Sequence, residues 1–238
     1  MPAPILELVE RFETNRDGCR SAACNEERCR MKRRLATMRA FAVCAVVLWA
    51  AAVRAENRDE WQQLDRVVAD MALPAGAVVA DVGCGEGFLA FRLAKRVGEG
   101  GKVFAADISA KALDAVRRRV ARERRTNIEV IESAPADTRL QTASVQSVLL
   151  CDVLHEMPAA DRLPLVRDIA RALKPGGVLF LIDYRKSHDV KFDPYEKLIP
   201  REDLVKLAND ANLVLDAEFH YLKYQVFLRF RKPAQPPR

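Results

Sequence analysis

The chain has 238 residues, half of them apolar, enough to bury one well-formed α/β domain with an extra segment but not a second enzyme domain. Its formal charge of +6 is concentrated near the start: residues 1–55 hold 10 Lys and Arg against 6 Asp and Glu, and the remainder 29 against 27. A nearly neutral folded part argues against nucleic acid as a partner.

The segment 31–55 opens with Met-Lys-Arg-Arg, continues through 14 uncharged residues (40–53) and ends in Val53-Arg54-Ala55. That is the order of a signal peptide: basic start, apolar run, small-x-small end. Fourteen residues fall short of the roughly 20 that a bilayer-spanning helix needs. The expectation is export to a periplasmic or membrane-associated location, with translation beginning at Met31 or Met38. The alternative is a cytoplasmic protein whose segment 31–55 is a helix packed on the domain or on a membrane surface. Cys19, Cys24 and Cys29 are separated by four residues each with no histidine nearby, so they make no zinc set.

Trp61, Leu64, Val67, Val68 and Met71 recur every three to four residues, predicting an amphipathic helix stopped by Pro74 and Gly76. A strand begins at Val78 and runs into Asp81-Val82-Gly83-Cys84-Gly85-Glu86-Gly87. Glycines at 83, 85 and 87 allow a sharp turn and bring backbone N–H groups within reach of a ligand. A helix (87–97) and a second strand (102–107) follow, and the strand ends in Asp107, 20 residues beyond Gly87. A carboxylate there can accept hydrogen bonds from both hydroxyls of a ribose, so the loop is read as holding an adenosine. Dinucleotide sites have G-x-G-x-x-G and aim a helix N-terminus at a pyrophosphate. Here the spacing is G-x-G-x-G behind Asp81, which would repel phosphate and suits a cationic amino-acid ligand.

Further along, Ser109 caps a helix to about 124, and strand 128–132 completes a βαβαβ pattern. The Arg-rich run 117–125 reads as a solvated helix face. Residues 147–151 form a buried strand, 160–173 a helix, 178–182 another apolar strand and 201–212 a helix. Strands 213–221 and 224–231 make a terminal antiparallel hairpin before a Pro-rich tail (233–238).

Asp81 to Gly87 matches (D/E)-x-G-x-G-x-G, Asp107 closes the next strand, and Leu173-Lys174-Pro175-Gly176-Gly177 precedes a later one. With these three motifs in this order, the chain resembles the class I S-adenosylmethionine-dependent methyltransferases of the small-molecule type, over roughly 57–232. The resemblance implies a Rossmann-like, seven-stranded, mostly parallel sheet with helices on both faces and the hairpin at one edge. It implies S-adenosylmethionine as cofactor. Asp81, Gly83, Cys84, Gly85 and Gly87 would cup its methionine part, Asp107 its ribose and Ile108 its adenine. Asp137 would edge the adenine, and the backbone of Cys151 and Asp152 would close the methionine side. Cys84 and Cys151 are read as small buried residues, because a disulfide between them would crowd the cofactor.

A sulfonium methyl is already activated, so catalysis rests mainly on holding the acceptor in line, with a base where the acceptor carries a proton. His155, just past the fourth strand, is the candidate base or acceptor-binding group. Tyr184, with Arg185, is placed to line the acceptor pocket. No Asn-Pro-Pro-Tyr motif follows the fourth strand, which disfavours DNA adenine and glutamine amide as acceptors. The expected acceptor is therefore a small or lipid-like molecule; no motif specifies a metal or an oligomeric state. Two other readings compete: a non-catalytic ligand-binding module of the same fold, and a nicotinamide-dependent oxidoreductase.

Overall fold

The computed structural model describes residues 61–187 and 194–234. The signal-like segment 31–55, the cysteines at 19, 24 and 29, and His188 lie outside the described residues. Residues Arg58–Arg238 belong to one compact unit. Its helices are α1 (Leu64–Asp70), α2 (Phe88–Val97), α3 (Ala110–Glu123), α4 (Ala159–Ala172) and α5 (Arg201–Asn209). Its strands are β1 (Val78–Val82), β2 (Lys102–Asp107), β3 (Ile128–Glu132), β4 (Val145–Cys151), β5 (Leu173–Tyr184), β6 (Val214–Phe219) and β7 (Gln225–Arg231).

The seven strands form one sheet in the order β3-β2-β1-β4-β5-β7-β6. The first five run parallel, and β7 lies antiparallel between β5 and β6. Leu64, Val67, Val68, Leu93 and Leu113 from α1, α2 and α3 pack on one face, over Leu149, Phe180 and Ile182. Leu165, Ile169, Leu204 and Ala208 from α4 and α5 pack on the other, over Ala80, Leu150 and Leu181. Coverage of both faces explains why β1 and β4, apart from Asp81, Gln146 and Ser147, are apolar rather than alternating. The chain leaves β1 in one direction and β4 in the other, so the sheet reverses order between these neighbours, and the crevice beyond their carboxyl ends is where such folds bind ligands.

Three local details depart from the sequence reading. Trp61 lies outside α1: Gln63, in the left-handed region at φ 48, separates it from the helix that starts at Leu64. The helix expected over 201–212 stops at Asn209. The Leu173–Gly177 motif is no loop before a strand but part of β5 itself. Val145 pairs with Leu173 and Ser147 with Val178, so residues 174–177 bulge opposite Gln146 alone. Gly177 permits this, because a Cβ there would meet the Lys174 carbonyl at 2.8 Å and that of Gln146 at 3.0 Å. The bulge is tied to the chain after β7 by Gly176 N–H to the Lys232 carbonyl (3.0 Å) and Lys232 N–H to that of Gly177 (2.8 Å).

Among the described residues no helix is long and apolar enough to cross a membrane.

Candidate active site

The glycine loop is built by backbone bonds to β2. Gly83 and Cys84 N–H both donate to the Ala106 carbonyl, at 2.8 and 3.1 Å, and Gly87 N–H turns back to the Cys84 carbonyl at 2.8 Å. Gly83 holds φ +73, and a Cβ on it would lie 2.2 Å from Val153 Cγ2. The close approach of the β1 and β4 ends therefore needs a glycine there. Above Gly85 no heavy atom lies within 4 Å of an added Cβ, so the loop presents open space on that side.

Asp107 organises this loop. Its Oδ2 accepts from Gly85 N–H at 2.7 Å and its Oδ1 from Ser109 N–H at 2.8 Å. Ser109 in turn caps α3, its hydroxyl accepting from Ala112 N–H. Ile108, between them, is 60% exposed, an apolar side chain standing clear of the surface. Asp81 is buried at the base of the turn. The Cys84 thiol is pushed far up, first by burial and then by the charges of Asp81 and Asp107, so it stays protonated and is no nucleophile. The same field makes the loop hostile to a diphosphate and favourable to a cation. No disulfide joins Cys84 to Cys151.

Across the crevice the chain leaves β4 at Asp152, a non-glycine residue at φ 58. The Asp152 N–H donates to the Ile182 carbonyl at 2.9 Å, and its carboxylate accepts from Gln62 Nε2 at 2.8 Å and from Gln225 Nε2. Gln62 Nε2 also reaches Cys151 Sγ at 3.4 Å. The Asp152 N–H is thus taken up between β4 and β5, and its carboxylate by the two glutamines. A short 3-10 turn, Leu154–Glu156, then places His155. Its Nδ1–H donates to Asp183 Oδ1 at 2.6 Å, and its backbone N–H to Asp183 Oδ2 at 3.3 Å. Tyr184 N–H donates to Asp183 Oδ1 at 2.8 Å. Both members of the pair are buried, His155 at 4% exposure and Asp183 at 1%. A carboxylate only accepts, so it fixes the neutral imidazole with its proton on Nδ1 and its lone pair on Nε2. His155 Nε2 lies 3.6 Å from Glu156 Oε1, and Glu156 Oε2 takes Lys197 Nζ at 2.8 Å, which links the buried ring to two exposed groups.

An aromatic wall stands beside this pair. Tyr184 meets the His155 ring edge-on at 5.1 Å and stacks on Trp61 at 6.1 Å, and Trp61 meets Tyr224 edge-on at 6.0 Å.

The structure thus gathers Asp81, Gly83, Cys84, Gly85, Gly87, Asp107 and Ile108 on one side of the crevice, and Cys151, Asp152, His155 and Tyr184 on the other. Asp137 serves its own turn, its carboxylate accepting from Arg139 N–H at 2.8 Å. The sequence reading missed Asp183, Gln62, Gln225, Trp61 and Tyr224. Asp183 had a signal: an acid follows the apolar run of β5 as Asp107 follows that of β2.

These residues fit S-adenosylmethionine. The open face at Gly85 leaves room for the methionine part, the acids suit its charges, and Ile108 offers an apolar surface beside Asp107. Residues 79–177 match the methyltransferase domain family. The chain is 30% identical over 154 residues to the chloroplastic 2-phytyl-1,4-beta-naphthoquinone methyltransferase of Arabidopsis thaliana, with 63% of this chain and 58% of that protein covered. It is 38% identical over 120 residues to the ubiquinone biosynthesis O-methyltransferase of Xanthomonas campestris pv. campestris, with 50% and 47% covered. It therefore spans only about half the length of these two relatives. The crystal structure of a SAM dependent methyltransferase from Aquifex aeolicus superposes with a TM-score of 0.68 at 26% identity, covering 74% of this chain and 92% of that one. Strand order, loop and family match together make this domain a class I S-adenosylmethionine-dependent methyltransferase domain.

Proposed function

We propose that the protein transfers a methyl group from S-adenosylmethionine to a hydroxyl on a small, planar, lipid-like acceptor. The observation that carries this reading is the buried His155–Asp183 pair, set beside an aromatic wall and across the crevice from the acidic glycine loop. The cofactor, when bound, supplies an activated methyl group on sulfur. Asp81 to Gly87 would hold its methionine part, Asp107 its ribose and Ile108 its adenine, while Asp137 edges the adenine. Trp61, Tyr184 and Tyr224 offer flat apolar surface to the acceptor. With cofactor and acceptor bound, the His155 Nε2 lone pair would take the acceptor's hydroxyl proton, and Glu156 with Lys197 would pass it towards solvent. The names of the two relatives, both quinone-pathway methyltransferases, support a ring-shaped acceptor.

Calorimetry separates this reading from its competitors. S-adenosylhomocysteine should bind with micromolar affinity and NADH not at all. NADH binding alone would establish the oxidoreductase reading. Binding of S-adenosylhomocysteine without methyl transfer from labelled cofactor to any hydroxylated aromatic in a panel would leave the non-catalytic module.

The proposal extends to residues 31–55 as an export signal, on their basic start, apolar run and small-x-small end. Expressed with that segment, the mature protein should begin at Glu56 on N-terminal sequencing; an intact segment in a cytosolic fraction sinks this part.

A further inference from the structure

An unbalanced crest of cations runs along helix α3. Its core side is Leu113 and Val116, both buried, with Val120 packed beside them. At about 100° per residue, Lys111, Arg118 and Arg122 fall within roughly 40° of one another on the opposite side. All three are exposed, and so is Arg124 at the C-cap.

The two acids of this helix are engaged on its flanks. Asp114 takes Arg117 at 2.8 Å. Glu123 takes Arg119 at 2.7 Å, with Arg125 at 3.5 Å and Arg122 at 3.8 Å, and the Arg119 guanidinium lies over the Phe91 ring, 3.8 Å from its centre. Lys111, Arg118 and Arg124 have no ion-pair partner among the described residues. A solvated helix face ordinarily sets opposite charges four residues apart, whereas Arg118 and Arg122 set like charges there, which costs helix stability. The imbalance is local. Of the 29 Lys and Arg against 27 Asp and Glu in residues 56–238, 7 and 2 lie in 110–125, leaving 22 against 25 elsewhere. Screening acts within about 8 Å at physiological salt, so acids elsewhere on the domain do not cancel the crest.

The shape of the crest selects its counterpart. From Lys111 to Arg122 it runs about 16 Å along one convex helix, so a flat anionic surface meets its whole length. Residues 110–125 hold no aromatic and no amide side chain, hence nothing on which a base could stack or be read. We infer that this crest is a docking surface for a bilayer rich in anionic phospholipid, whose headgroup phosphates supply the counter-charges that Lys111, Arg118, Arg122 and Arg124 lack. Lys111 stands one turn beyond Ile108, so a docked α3 holds that edge of the crevice close to the lipid. The inference does not depend on the methyltransferase reading.

The test is co-sedimentation of the full chain with vesicles of phosphatidylcholine alone and of phosphatidylcholine and phosphatidylglycerol in equal parts. Wild type should prefer the anionic vesicles and be released by salt. Each basic side chain near such a surface raises affinity about fivefold, so Arg118→Gln/Arg122→Gln should bind the anionic vesicles about 25-fold more weakly. Glutamine is a good helix former and relieves the like-charge pair, so this variant keeps its fold. Arg118→Lys/Arg122→Lys should bind as wild type does, since the headgroups read charge alone. Arg167→Gln/Lys206→Gln removes the same charge from exposed positions of α4 and α5, over the other face of the sheet, and should leave binding unchanged. The inference is overturned by a wild type indifferent to phosphatidylglycerol, by undiminished binding in the α3 variant, or by an equal loss in the α4 and α5 variant. It is overturned as well if the α3 variant loses affinity for a DNA duplex and not for vesicles, which would make the crest a nucleic-acid surface.

Discussion

Asp107→Ala is expected to weaken S-adenosylhomocysteine binding by at least 100-fold in calorimetry. The carboxylate is already held by two backbone N–H groups, Gly85 at 2.7 Å and Ser109 at 2.8 Å, so its direction is set before any ligand arrives. Under the proposed function its remaining lone pairs take the two ribose hydroxyls. Charge-assisted hydrogen bonds contribute about 1.5–3 kcal/mol each, so the loss of two amounts to roughly 3 kcal/mol or more, two orders of magnitude in affinity. The substitution also releases Gly85, which loosens the loop and adds to the loss. Asp107→Asn separates the two effects: its one remaining oxygen can keep one backbone N–H and one ribose hydroxyl, so its affinity should fall between the others. Undiminished affinity in Asp107→Ala would remove the ribose from this carboxylate.

The parts of the site that follow from local backbone chemistry were legible in the sequence. Glycines at a strand end, an acid closing the next strand and a serine before a helix act within a few residues of themselves, and the loop, Asp107 and the Ser109 cap stand where such rules put them. The strand order was legible through the motif order, because a parallel sheet with one reversal leaves β1 beside β4. What escaped are pairings set by tertiary distance. His155 and Asp183 are 28 residues apart, Asp152 and Gln225 are 73 apart, and Gln62 and Asp152 are 90 apart. The first two pairs exist because β4 and β5 end beside the start of β7, and the third because the segment before α1 reaches the end of β4; a lone glutamine carries no signature of its own. The Lys174–Gly177 bulge escaped for a different reason: Pro and Gly signal a break in regular structure, and the sequence does not say whether the break ends a strand or swells it. Gln63 delays the start of the expected helix to Leu64: it stands in a left-handed conformation that its residue type does not signal, its side chain donating to the Tyr221 carbonyl at 3.2 Å.

The second large effect concerns the buried pair. Asp183→Asn should lower kcat by about 10³, within the 10²–10⁴ that a positioned base supplies, while KM and cofactor affinity change little. Asparagine keeps the volume and accepts through one oxygen only. Three donors now converge on that carboxylate: His155 Nδ1–H, His155 N–H and Tyr184 N–H. The single oxygen of asparagine can still take Nδ1–H and Tyr184 N–H at the Oδ1 position, but it brings no negative charge to stabilise the imidazolium that forms when Nε2 receives a proton. The loss is thus one of charge behind the base, not of binding. His155→Ala should cost a similar factor, and the double variant little more than either single one, since both remove the same step. A merely structural role is distinguished by changing the acceptor. With a nitro-substituted aromatic diol already ionised at pH 8 no base is needed, so the deficit of Asp183→Asn should shrink to within about tenfold. A deficit that is equally deep for the ionised acceptor would mean that Asp183 shapes the pocket and that His155 is not the base.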